Sequence, residues 1–165
     1  LLGPASEVQA ELMGIPSFET PDYSELFAEE KEMIGKLKKA FLMVAGGAVQ
    51  KYGPDLDGHQ QLLMAAADIL IEIYMAESTI LRTEKLAKTK GEAAVKEQIA
   101  MAQLYLYKAV DIITQKGKEG IVSFAEGDEQ RMMLMGLRRY TKYTNMPNVI
   151  GLREIITSKL VAENA

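Results

Sequence analysis

Cysteine is absent from this chain, histidine occurs once, at His59, and proline occurs only five times. Without cysteine there are no disulfides, no thiolate metal sites and no cysteine nucleophile, and the chain fits a reducing, cytoplasmic setting. Long apolar runs are lacking too. The longest nearly apolar stretch, Ala40 to Val49, is about half of the roughly 20 residues needed to cross a bilayer. No cationic signal peptide precedes it. Lysine and arginine are missing from the first thirty residues, which carry seven carboxylates.

What is present is enough for one sizeable core: 165 residues, 48% hydrophobic and 25% charged, a length that leaves little room for a second domain. The chain opens on Leu1 with Leu-Leu-Gly-Pro and no initiator methionine, so it is read as a fragment cut from a longer protein. Residues 1–22 are expected to form a linker with a short helix near Ser6 to Met13, limited by Pro4 and Pro16. Residues 23–165 are expected to form a single helical-bundle domain.

Charge is uneven along the chain. Residues 131–160 carry six basic side chains against Glu154 alone, although the net charge is −4. Such a basic end reads as a solvated face or as an intramolecular complement to the acidic start. The acidic total and the lack of any recognised motif argue against nucleic acid.

Apolar spacing of three and four residues predicts helices throughout. The first long one runs from about Tyr23 to Tyr52, on Leu26, Phe27, Met33, Ile34, Leu37, Phe41, Val44 and Ala48, and stops at Gly53-Pro54. Asp57-Gly58-His59-Gln60 reads as a capping box for a second helix reaching about Lys88. Its main buried face is taken as Leu62, Leu63, Ala66, Ile69, Leu70, Ile73, Tyr74, Ile80 and Leu81, with Met64, Ile71 and Met75 as a second stripe opposite.

Thr89-Lys90-Gly91-Glu92 reads as another capping box, starting a third helix that keeps one phase through Gly117 and Gly120 to Phe124. It too has a second stripe, Met101, Tyr105 and Ile112. A fourth helix, roughly Asp128 to Tyr143, hides Met133, Leu137 and Tyr140. Its acidic start and its arginines near the end suit the helix dipole. Asn145 and Pro147 end it, and a further helix follows near Asn148 to Glu163. The fold class expected is all-α: an up-and-down four-helix bundle with extra short N- and C-terminal helices. Two apolar stripes on each of two consecutive helices suggest a bundle docked against something else, since large exposed apolar patches mark interfaces.

Chemistry of its own is not expected of this chain. A di-iron carboxylate bundle needs two Glu-x-x-His motifs, and His59 lies instead in a predicted capping turn, which also defeats a serine triad. No metal site, cofactor site or catalytic residue is assigned. Glu77 and Glu84 project by phase onto the buried face of their helix. Unpaired, such a carboxylate would be raised in pKa and fit for acid/base work, whereas a basic or tyrosine partner from another helix would make it structural. Gly46-Gly47 follows no strand and is no phosphate loop. The ten methionines read as adaptable core rather than as an acyl pocket.

Four segments carry a resemblance: GPASEVQAELMGIPSF at Gly3 to Phe18, KKAFLMVAGGAVQKYG at Lys38 to Gly53, ADILIEIYMAESTILRTEKL at Ala67 to Leu86, and SFAEGDEQRMMLMGLRRYTK at Ser123 to Lys142. With them the chain resembles the C-terminal extension of bacterial acyl-CoA dehydrogenases of the very-long-chain type. The resemblance implies a parent flavoenzyme that binds FAD and oxidises an acyl-CoA thioester between its alpha and beta carbons. The glutamate base and flavin-binding residues of that enzyme correspond to no position here. It also implies a helical domain packed on the dehydrogenase core of the same chain, standing where a second subunit pair sits in shorter, tetrameric members, with a second copy as a further partner. Met64, Ile71 and Met75 or Met101, Tyr105 and Ile112 are then the candidate contact surface. The rivals are a free-standing helical adaptor and a module whose basic face at Arg131, Arg138, Arg139 and Lys142 meets anionic membrane or a CoA phosphate.

Overall fold

The computed structural model describes residues 2–14 and 23–164, and among these all regular structure is helical. Six α-helices follow in order: α1 Leu2–Met13, α2 Ala28–Tyr52, α3 Gln60–Lys90, α4 Lys96–Phe124, α5 Gly127–Tyr140 and α6 Val149–Asn164. Helices α2 to α5 make the four-helix bundle expected from the sequence, with α1 laid on α2 and α6 on α4. The end of the 1–22 segment, Pro16 included, lies outside the described residues.

The most extensive contact is between α3 and α4, an antiparallel pair joined by a short 3-10 turn, Glu92–Val95. Small side chains set that pairing. Ala65, Ala76 and Ala87 of α3 and Ala102 and Ala109 of α4 are all buried, so the two backbones can approach closely. Around them Leu37, Val44, Ile69, Ile80, Leu106, Ile113, Ile121 and Leu137 form the fully buried centre. Helix α4 runs through both of its glycines as expected. A Cβ at Gly117 would stand 2.7 Å from Leu137 Cδ1 and one at Gly120 would stand 3.0 Å from Val44 Cγ1, so α5 and α2 occupy the room the missing side chains leave.

Several helix ends differ from the sequence reading. Helix α2 starts at Ala28 rather than near Tyr23, because the chain turns at Phe27, which sits in the left-handed region (φ 64°) with its ring buried. Leu26 and Phe27 therefore reach the core from a turn. The Asp57 capping box does not form: a 3-10 turn, Gly53–Gly58, intervenes, and His59 takes the cap position of α3 with no side-chain cap bond. The His59 ring stacks on Tyr52 at 3.5 Å. The Thr89 capping box fails for the opposite reason, since α3 continues to Lys90 and the Thr89 hydroxyl donates back to Lys85 O at 2.9 Å. Gly91, at φ 84°, then ends the helix in a conformation that favours glycine.

The short first helix begins at Leu2, with Pro4 in the first turn, where a missing N–H costs nothing. It is not free of the bundle. Val8 is buried, a Cβ at Gly46 would collide with Ala5 Cβ, and Lys39 Nζ binds Glu11 Oε2 at 2.7 Å. That ion pair joins the acidic start of the chain to α2. At the other end Asn148 Oδ1 accepts the Gly151 N–H at 3.1 Å, a side-chain cap for α6.

Candidate docking surface

Helix α3 is where sequence and structure part most. Its buried residues are Leu62, Ala65, Ile69, Ile73, Ala76, Ile80, Thr83 and Ala87. Of the face taken as buried, Leu63, Leu70, Tyr74 and Leu81 are instead 38%, 50%, 68% and 52% exposed. The alanines win those core positions because only small side chains allow the close α3–α4 approach, and the larger residues are rotated outward. The second stripe, Met64, Ile71 and Met75, is exposed as well. Seven large apolar side chains thus cover the outer half of one helix. Large exposed apolar groups clustered on one helix mark an interaction surface.

On α4, Met101 and Ile112 are exposed, while Tyr105 is half-buried and donates to Glu72 Oε2 at 2.9 Å. Burial and the Glu72 carboxylate push the Tyr105 phenol up to about 12. Lys116 Nζ reaches Asp68 Oδ2 at 3.4 Å. Tyr105–Glu72 and Lys116–Asp68 therefore bridge α3 and α4 along one flank of the apolar band. Sequence reasoning placed Met64, Ile71 and Met75 on the exposed side but missed Leu63, Leu70, Tyr74 and Leu81. The signal for them was the eleven-residue repeat Ala65, Ala76, Ala87, which marks a competing phase for the core face.

The two glutamates are paired, not poised for proton transfer. Glu84 Oε1 lies 2.9 Å from Lys31 Nζ and 3.0 Å from Lys88 Nζ. Hydrogen bonds from Lys31 and Lys88 hold its carboxyl below the usual range, the reverse of the shift a general base near neutral pH requires. Glu77 Oε1 binds Lys38 Nζ at 2.6 Å and neither carboxylate is fully buried. Both clamp α3 to α2. Among the described residues the buried carboxylate is Glu97, whose Oε2 stands 3.7 Å from Lys159 Nζ of α6.

The basic residues do not form one face. Arg131, Arg138 and Lys142 are exposed, and Arg131 Nη1 is taken up by Asp128 Oδ1 at 3.1 Å. Arg139 turns the other way, into a groove it shares with Glu11, Glu32 and Lys39. Met33, Met43 and Met133 are core, whereas Met64, Met75, Met101, Met135 and Met146 face outward. Among the described residues, no three His, Asp or Glu side chains stand where they could hold a metal ion, and no helix is long and apolar enough to cross a membrane.

Residues 36–139 match the family described as acyl-CoA dehydrogenase, C-terminal domain. The chain belongs to this acyl-CoA dehydrogenase C-terminal domain family. It is 35% identical over 159 residues to a probable acyl-CoA dehydrogenase of Bacillus subtilis (strain 168), covering 96% of this chain and 26% of that protein. It also superposes, at a TM-score of 0.85 and 36% identity, on the crystal structure of an acyl-CoA dehydrogenase complexed with FAD from Bacillus anthracis, over 96% of this chain and 26% of that one. The chain spans about a quarter of the length of these relatives. An acyl-CoA dehydrogenase C-terminal domain with an apolar band along α3 agrees with the family expected from the four quoted segments.

Proposed function

We propose that this domain does no chemistry itself and serves as the C-terminal docking domain of a cytoplasmic, FAD-dependent acyl-CoA dehydrogenase, whose whole polypeptide removes hydrogen from the alpha and beta carbons of a fatty acyl-CoA. The observation that carries this is the outer face of α3, where Leu63, Met64, Leu70, Ile71, Tyr74, Met75 and Leu81 are exposed. Burying a side chain of this size is worth about 1.5–3 kcal/mol, so a covering partner is strongly favoured. The length of the relatives supports a dehydrogenase core as that partner. The paired states of Glu77 and Glu84 support the absence of a base.

The isolated 165-residue chain is expected to bind no FAD by absorbance after gel filtration. It is also expected to give no acyl-CoA-dependent reduction of an artificial electron acceptor, while the full-length polypeptide does both. Flavin binding or turnover by the isolated chain would refute the reading.

A further inference from the structure

Three features that the bundle itself leaves unexplained meet in one place, away from α3. Arg139 makes no ion pair and no side-chain hydrogen bond among the described residues. The Tyr140 side chain is 2% exposed, and its hydroxyl is buried without a hydrogen-bond partner, an arrangement that costs free energy and is rare in folded proteins. Gly35, in the interior of α2, is exposed, and a Cβ there would meet nothing within 4 Å. Glycine therefore weakens this helix relative to alanine without letting any described element pack closer. All three line a groove of about 390 Å³ between α1, α2 and α5, with Glu11, Glu32, Lys36 and Lys39 around them. Glu32, Gly35, Lys36 and Lys39 lie on one face of α2, by the spacing of three and four residues.

Charge and donors define what the groove takes. Glu11 holds Lys39 Nζ through both carboxylate oxygens, at 2.8 Å and 2.7 Å. Glu32 Oε1 holds Lys36 Nζ at 2.5 Å, and Lys36 also donates to Thr144 Oγ1 at 3.3 Å. The three cations outnumber the two carboxylates, and the uncompensated charge is the Arg139 guanidinium. Each ammonium carries three N–H groups and has one left over. We infer that this groove seats a phosphate monoester, with Arg139 and the Tyr140 O–H as its main donors, Lys36 and Lys39 beside it, and Gly35 as an open floor. A carboxylate ligand offers two oxygens, whereas a phosphate offers three, one for each of guanidinium, phenol and ammonium. Without a side chain at position 35 those oxygens can come down against the backbone of α2. Glu11 and Glu32 oppose the same ligand, but they also fix both lysines in place before it arrives. The inference stands independently of the docking role proposed above.

The test is phenylglyoxal modification of the full-length polypeptide, with each arginine read by tandem mass spectrometry. Arg138, exposed and outside the groove, is the internal reference. Inorganic phosphate, raised to about 10 mM, is expected to slow modification of Arg139 at least about fivefold relative to Arg138, with sodium chloride of equal ionic strength as the control for screening. Gly35→Leu fills the floor and is expected to abolish this protection without lowering the melting temperature, since leucine is the better helix former. Tyr140→Phe, which removes an unpaired buried hydroxyl, is expected to raise the half-protecting phosphate concentration about tenfold, again with no loss of stability. Coenzyme A and dephospho-coenzyme A, which differ in the 3′-phosphate, separate the sources. Stronger protection by coenzyme A than by phosphate, lost with the dephospho form, assigns the monoester to the coenzyme, and protection by free phosphate alone assigns it to the ion; either sustains the seat. Equal slowing at Arg138 and Arg139, or protection that survives both substitutions, overturns it. So does an Arg139 that is unreactive before phosphate is added, because another part of the polypeptide then fills the groove.

Discussion

Replacing Leu70 and Tyr74 together by glutamate is expected to leave the isolated chain as stable as before and to unseat the domain in the full-length polypeptide. Both side chains are at least half exposed, on the side of α3 away from the bundle core, and surface changes of this kind usually fall within about 0.5 kcal/mol each. In the proposed enzyme the same positions lie beneath the dehydrogenase core. Losing their burial removes roughly 3–6 kcal/mol of docking free energy, and a carboxylate buried there adds to the penalty. Thermal unfolding of wild type and variant, measured in both polypeptides, separates the cases: an unchanged transition in the isolated chain and an early, separate domain transition in the full-length one. Small and equal shifts in both would contradict the assignment of that face.

Phe124→Ala should act in the reverse sense, unfolding the domain wherever it is found. The ring is 4% exposed and lies against the backbone of α2 at Gly47, where a Cβ would come within 2.9 Å of its Cε2 and Cζ and of Met133 Cε. It therefore fills the junction of α2, α4 and α5, and nothing rigid nearby can collapse into the space it leaves. Truncation of a buried phenylalanine costs about 3–5 kcal/mol, against a total stability of about 5–15 kcal/mol for a domain. Guanidinium unfolding of the isolated chain is expected to shift to a much lower midpoint with an unchanged slope. A midpoint within error of wild type would mean that the α2–α4–α5 junction is not where the core is closed.

The contrast between Phe124 and Tyr74 also shows what was legible in the sequence. Helix number, helix order and the passage of α4 through Gly117 and Gly120 follow from apolar period alone, because one face of each helix must be hidden. The rotation of α3 does not. Counting large residues favours Leu63, Leu70 and Tyr74 as the core, yet the alanines at 65, 76 and 87 take it, since close approach of two backbones outweighs side-chain size. A helix with apolar side chains on its outer as well as its inner face has no clear polar face to fix its phase.

The capping boxes at Asp57 and Thr89 failed for a related reason. Their local patterns were sound, but the Tyr52–His59 stack and the extension of α3 to Lys90 were decided by neighbouring structure. Pairing of Glu77 and Glu84 was one of the two readings the sequence allowed, and it takes the partner lysines on α2 to choose between them. The functional identity was legible mainly through the four quoted segments. None of them carries a reacting group that periodicity or charge could have assigned.

The most direct measurement is a cryo-electron-microscopy structure of the full-length polypeptide, read at Leu63, Leu70, Ile71, Tyr74 and Met75. If α3 is built to be covered, these side chains lie against helices of the dehydrogenase portion and out of contact with water. If they face open solvent in the assembled enzyme, the domain is not held by α3 and its role must be sought elsewhere.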